Sequence, residues 1–197
     1  MRRLNRIASI PAGIFGLILT VPLTLAFIAS MRELREMIEY LEKIDYFHRG
    51  VDFPWIEVVV GVCAVVAVAA IAVCMLCGKK SGWLAFSLWV YVFAQVGSLF
   101  QLLTGSEADG LQVLQLLIAV VTLVMMALEC MSGLRMPVWL KHILLIGGMT
   151  AVELIGYLRG AEASLVILCE NLFFVLLAVS VAGGDPRDED DFSYEDA

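Results

Sequence analysis

The sequence predicts an all-α, polytopic integral membrane protein, built as a compact bundle of six transmembrane helices plus one amphipathic interfacial helix. Hydrophobic residues make up 61% of the 197 residues and charged residues only 17%, whereas a soluble domain is near half apolar and a quarter charged. The mean hydropathy is +0.90. Several apolar runs are also about 20 residues long, enough to cross a hydrocarbon core about 30 Å thick. The expected surroundings are therefore a lipid bilayer.

Charges, glycine or proline bound each apolar run, and they divide the chain into six predicted spans. The first follows "MRRLNR", but its apolar stretch is too long for a secretory signal, so we expect a retained helix. The predicted domains are a transmembrane domain at 1–184 and an acidic, disordered cytoplasmic tail at 185–197, which carries six of the seven net negative charges. The spans are 8–29, 56–77, 82–104, 111–131, 138–158 and 162–183.

Residues 31–45 have the pattern of an amphipathic helix. Met31, Leu34, Ile38 and Leu41 fall on one helical face, and charged residues occupy the opposite face. Such a helix lies in the membrane interface or folds back over the bundle. The alternative is that it extends the first span into water.

Lysine and arginine are distributed unequally between the two sides of the predicted bundle. With the N-terminus inside, eight of them fall on the inner side and five on the outer side. Positive residues are enriched on the cytoplasmic side of membrane proteins. We therefore expect both termini in the cytoplasm and the chain in the cytoplasmic (plasma) membrane.

Polar residues enter the predicted spans in stripes. In the fourth span they recur at steps of three and four together with small residues, which places them on one helix face. Because polar groups facing lipid are costly, this face is expected to point inward. The stripe comprises Gln112, Gln115, Ala119, Thr122, Met126 and Glu129.

According to their predicted depth in the membrane, the polar groups fall into an inner and an outer cluster. The inner one is a Glu129–His142 pair near the cytoplasmic surface, which we interpret as a locally paired charge. The outer cluster is either a substrate-binding cavity or a hydrogen-bond network that only holds the helices together, since intramembrane carboxylates are functional candidates by default. Its residues are Gln95, Gln112, Gln115, Glu153, Tyr157, Glu170 and Asn171.

Several classes of function lack their residues in this chain. The hydrolase motifs HExxH and GxSxG and a pair of intramembrane aspartates are missing from the sequence, so no enzyme is expected. Two histidines do not make a histidine-rich metal site, and neither a metal nor a cofactor is expected. The acidic charge balance argues against nucleic acid binding. The five cysteines lie in apolar runs and are interpreted as small hydrophobic residues.

The stretch "ASIPAGIFG" places Ala8, Ala12 and Gly16 at four-residue steps, a spacing that lets another helix approach closely. In outline the chain resembles the substrate-capturing subunits of energy-coupling-factor importers. Those are six-helix proteins of this size whose first helix uses such residues to dock a membrane partner. The charged segment at 31–45 and the acidic tail depart from that family. The resemblance implies a subunit that binds or helps to transport a small-molecule solute, with a membrane protein partner docked through the first helix.

Three alternatives stay open beside that hypothesis. In the first, the small residues of the first span would pack within this bundle instead of against a partner. In the second, the chain would be a non-enzymatic accessory or assembly protein whose intramembrane polar residues are structural. In the third, Glu129, Glu153 and Glu170 would be the relay carboxylates of an ion- or proton-coupled carrier.

Overall fold

The helices of the described chain form a ring in sequence order. The structure is a computed structural model that describes residues 4–43, 55–104, 109–131, 137–159 and 165–183. Each helix packs against its neighbours in the chain, and α1 closes the ring by packing against α6. The predicted tail at 185–197 lies outside the described residues. The helices are α1 (Arg6–Lys43), α2 (Trp55–Cys77), α3 (Gly82–Thr104), α4 (Gly110–Met131), α5 (Val138–Leu158) and α6 (Leu165–Ala182).

Length and composition fit these helices to a bilayer. Five of them, α1 to α5, are long and apolar enough to cross a membrane, and α6 is an apolar helix of 18 described residues. Large apolar side chains cover the outside of the ring, such as Val21, Phe93 and Ile143, each at least 56% exposed. Proteins in water rarely expose so much apolar surface, whereas the hydrocarbon of a bilayer solvates it. The chain is therefore a multi-pass membrane protein of the all-α class.

The first helix is longer than a membrane is thick. Its 38 residues span roughly 57 Å, against about 30 Å of hydrocarbon. Residues 31–43 are its last turns and not the separate amphipathic helix predicted from the sequence; residues 44 and 45 lie outside the described part. No glycine or proline interrupts the chain near Met31, and Arg32 and Arg35 each pair with the glutamate four residues on at 2.9 Å, which supports a continuous helix.

The last turns of α1 still have two faces. Leu34 and Ile38 are half-buried, while the charged residues between them are exposed. The predicted apolar face is therefore seen at Leu34 and Ile38. The side chain of Leu41 lies outside the described set.

The small residues of α1 lie inside the bundle. Ala8 and Ala12 are buried at 5% and 0% exposure, and Gly16 is buried as well. A Cβ added at Gly16 would lie 2.6 Å from the ring of Phe173 and 2.8 Å from the Cβ of Ala72. The small residues thus allow α2 and α6 to approach α1, which is the packing alternative that the sequence left open.

Candidate functional site

A cavity of about 930 Å³ lies between α3, α4, α5 and α6. Its volume is in the range of small-molecule sites in proteins. Most of its polar lining belongs to the halves of the four helices that meet at the α3–α4 and α5–α6 connections, which is the predicted outer side. The lining residues are Tyr91, Gln95, Gln112, Gln115, Leu116, Ala119, Leu123, Met149, Val152, Glu153, Gly156, Tyr157, Arg159, Ile167, Leu168, Glu170, Asn171 and Phe174.

The structure brings all the residues of the predicted outer cluster around this one cavity. Helical periodicity explains why, because the stripe on α4 lies across the cavity from Glu153 and Tyr157, which are one turn apart on α5. Most of these side chains are half-buried, and Tyr157, at 69% exposure, lies at the rim. The residues it brings together are Gln95, Gln112, Gln115, Glu153, Tyr157, Glu170 and Asn171.

Arg159, which the sequence analysis did not select, organises the mouth of the cavity. Its guanidinium donates from Nε to Asp109 at 2.9 Å, from Nη1 to Gln115 at 3.1 Å and from Nη2 to Gln112 at 3.0 Å. Gln115 in turn donates its amide to the Val152 carbonyl at 3.1 Å. The start of α4 is thereby tied to the end of α5. The sequence does contain a signal for this role: Arg159 directly follows the predicted fifth span, on the predicted outer side where Gln112 and Gln115 also lie.

Asp109 is held in its charged form by this contact. The hydrogen bond from Arg159 lowers the pKa of the Asp109 carboxyl, and the backbone N–H of Leu111 lowers it further by donating to the same group. Asp109 also precedes the first turn of α4, where a carboxylate satisfies a free N–H group of the helix. The arginine therefore already has a carboxylate partner at the cavity mouth.

Two carboxylates face the cavity from neighbouring helices. Glu153 on α5 and Glu170 on α6 both line the cavity, on helices that pack against each other. Among the described residues, no lysine or arginine forms an ion pair with either one. Since isolated charges in a low-dielectric region are costly, these groups need a counter-ion, a proton or water from the cavity.

Aromatic rings form part of the cavity floor. Tyr91 on α3 stacks on Phe174 of α6 with ring centroids 5.4 Å apart, and Phe174 meets Phe173 edge to face at 4.9 Å. Gln95 lies one helical turn from Tyr91 on α3 and also lines the cavity. The floor therefore offers an apolar surface with a polar group at its edge.

An apolar layer separates the cavity from the inner ends of the helices. Leu123 and Met149 line the cavity, and one turn further inward lie Met126 and Leu145, both at 0% exposure. Leu88 of α3 is equally buried at this level.

At the ends of the helices opposite the cavity mouth, Glu129 forms a buried ion cluster with two lysines. Lys80 Nζ lies 3.1 Å from its Oε1 and Lys141 Nζ lies 3.3 Å from its Oε2. The side chains of Lys80 and Glu129 are 2% and 3% exposed. The predicted partner His142 has its Nδ1 2.8 Å from the Val138 carbonyl oxygen. Glu129 is thus locally paired as predicted, but its partners among the described residues are Lys80 and Lys141, and His142 is not one of them.

The described part of the chain contains no group of three or more His, Cys, Asp or Glu side chains placed to hold a metal ion. The chemistry that the cavity offers is hydrogen bonding, negative charge and aromatic contact.

Comparison with protein-family models, with curated proteins and with solved structures finds no match to this chain. The fold and the cavity together define the class to which it belongs, a multi-pass helical membrane protein with a polar cavity inside the bundle.

Proposed function

We propose that the chain is a small-solute binding or transport-associated membrane subunit whose polar cavity opens to the outside. The observation that carries the proposal is the convergence of Glu153, Glu170 and Asn171 on a space of about 930 Å³. Groups that served only to join helices would contact one another, whereas these line an open volume. A solute, or water in its absence, would satisfy their polar atoms.

The proposed topology has six transmembrane helices with both termini in the cytoplasm, in the plasma membrane. The described part of α6 has 18 residues and would reach roughly 27 Å, close to the thickness of the hydrocarbon core. The lysine and arginine distribution sets the orientation. In this arrangement the cavity faces outward and the Lys80–Glu129–Lys141 cluster lies near the cytoplasm.

The apolar layer beneath the cavity favours capture over conduction by the single chain. Between Leu123, at the floor, and Glu129 there are six residue steps, or roughly 9 Å of tightly packed helix. A solute bound above this layer would need a further protein, or a large rearrangement of the bundle, to reach the cytoplasm. This is the behaviour expected of a subunit that binds solute and delivers it.

A second candidate function is an accessory or assembly protein. The observation in its favour is that the side-chain oxygens of Gln112 and Gln115 accept hydrogen bonds from Arg159. Two of the polar residues are therefore used at least in part to brace α4 against α5. Under this alternative the cavity would hold only water or lipid.

The experiment that separates the two candidates is native mass spectrometry of the gently extracted protein, combined with its thermal unfolding. A small molecule should copurify with the wild type and raise its unfolding temperature when added back. Ala119→Phe, which fills the cavity from α4, should lose the bound mass. A matched Val121→Phe variant, two positions away on the exposed face of α4, should keep it.

The proposal fails if no small molecule is retained and Ala119→Phe binds a stable protein partner as well as the wild type does. That result would favour the accessory protein.

A further inference from the structure

We infer that the solute is an organic cation, an amine with an apolar or aromatic body, bound by Glu153 and Glu170 in the cavity. The inference rests on the proposed function and names the class of solute. It follows from three observations: which intramembrane carboxylates have basic partners, the hydrogen bonds already made by Arg159 at the mouth, and the aromatic rings at the floor.

Within the described part of the chain, one buried glutamate has basic partners and two others have none. Glu129 has Lys80 and Lys141 within 3.3 Å. Glu153 and Glu170 have no such partner among the described residues, and both line the same cavity from the adjacent helices α5 and α6. Two neighbouring carboxylates on the wall of a cavity attract a cation, because a positive charge between them relieves their repulsion and replaces lost hydration.

The basic residue that lines the cavity is already occupied. Arg159 directs Nε, Nη1 and Nη2 to the oxygens of Asp109, Gln112 and Gln115. A guanidinium has five N–H groups, and three of them are used here. Arg159 is therefore poorly suited either to neutralise Glu153 and Glu170 or to hold an anionic solute, so the cavity selects positive charge.

The floor of the cavity suits the remainder of such a molecule. The stacked rings of Tyr91 and Phe174 offer an aromatic surface, and aromatic faces attract cations and apolar groups. The side-chain carbonyls of Gln95 and Asn171 can accept hydrogen bonds from an ammonium group. A volume of about 930 Å³ admits a molecule considerably larger than a metal ion.

The test uses three probes of the same shape and different charge, benzylamine, benzyl alcohol and benzoate, with the purified full-length protein. Each is titrated while the unfolding temperature is followed at pH 7. Benzylamine should stabilise the wild type saturably, and benzyl alcohol and benzoate should bind at least about tenfold more weakly, the equivalent of one charge interaction. Glu170→Gln and, independently, Glu153→Gln should weaken benzylamine binding about tenfold or more.

The matched control is Glu57→Gln, which removes an exposed carboxylate at the start of α2, outside the cavity, and should leave benzylamine binding unchanged. The inference is overturned if benzyl alcohol or benzoate binds as well as benzylamine, if none of the three binds, or if Glu57→Gln has the effect of Glu170→Gln. The proposed function is judged separately, because a neutral or anionic molecule that copurifies with the protein would contradict this inference alone.

Discussion

Lys80 Nζ lies 3.1 Å from Oε1 of Glu129, and both side chains are almost completely buried. Lys80 belongs to the turn after α2, which Gly78 makes possible by adopting a φ of +68°. With Lys141 on α5, this contact ties the inner ends of three helices to one carboxylate. Glu129, the last residue of the polar stripe on α4, is therefore part of a buried ion cluster.

The first prediction concerns this cluster. Lys80→Met should lower the free energy of unfolding by about 1.5–3 kcal/mol, because it removes one of the two lysine contacts of the buried Glu129 carboxylate and leaves that of Lys141. The double variant Lys80→Met/Glu129→Leu should recover most of the loss. Thermal unfolding in detergent measures both, with the exposed neighbour Lys79→Met as the control. Equal effects of the Lys79 and Lys80 variants would contradict the buried pairing.

The second prediction concerns the packing of α1. Gly16→Ala should cost about 1–3 kcal/mol, because its Cβ would overlap Phe173 and Ala72. Gly147→Ala is the matched control, since nothing lies within 4 Å of the added Cβ, and it should be neutral or slightly stabilising. If Gly16→Ala folds with unchanged stability but no longer assembles with a membrane partner, α1 would be a docking helix after all.

The third prediction concerns the mouth of the cavity. Arg159→Lys should not replace the arginine, because an ammonium group cannot reach Asp109, Gln112 and Gln115 in the fixed geometry of a guanidinium. We expect a lower unfolding temperature for Arg159→Lys and for Arg159→Met, by similar amounts. A fully stable lysine variant would show that charge alone matters there.

Asp109 adds a pH dependence to the same contact. Its pKa is lowered in the folded protein, so the stability it contributes is complete above the ordinary carboxyl pKa of about 4 and is lost as the pH falls through the lowered value. Wild type and Asp109→Asn should therefore differ in unfolding temperature at pH 7 and converge in strong acid. A difference that grows with acidification has the wrong sign for this account.

The fourth prediction concerns topology. In a cysteine-free background, a cysteine at Ser106 should react with a membrane-impermeant thiol reagent added outside, and one at Ser193 only after the membrane is opened. This follows from the proposed cytoplasmic termini. The reverse pattern would place the cavity on the cytoplasmic side.

The α4 stripe shows what helical periodicity predicts well. Steps of three and four placed Gln115, Ala119 and Thr122 on one face, and the structure turns that face inward with Ala119 and Thr122 at 8% and 3% exposure. Depth along the predicted spans assigned Glu153 and Glu170 to one outer cluster, and both line the cavity. Such features depend on local spacing and on the cost of polar groups in lipid, and both can be obtained from one sequence.

Long-range partners could not be obtained in this way. Lys80 and Glu129 are 49 positions apart, and Arg159 is 44 positions from Gln115. Which loop charge meets which helix depends on the order of helices around the ring. The end of α1 was also unclear, because an amphipathic pattern does not distinguish a separate helix from the continuation of a transmembrane one.

The most direct test of the central claim compares the reactivity of two adjacent positions on α6. Asn171 lines the cavity, whereas Leu172 is exposed and is not among the lining residues. Thiols react as thiolates, which need water. In the cysteine-free background, Asn171→Cys should react with the impermeant reagent added outside, Leu172→Cys should not, and Ala119→Phe should block the reaction at 171. Equal reactivity at the two positions, or none at 171, would contradict a solute-accessible outer cavity.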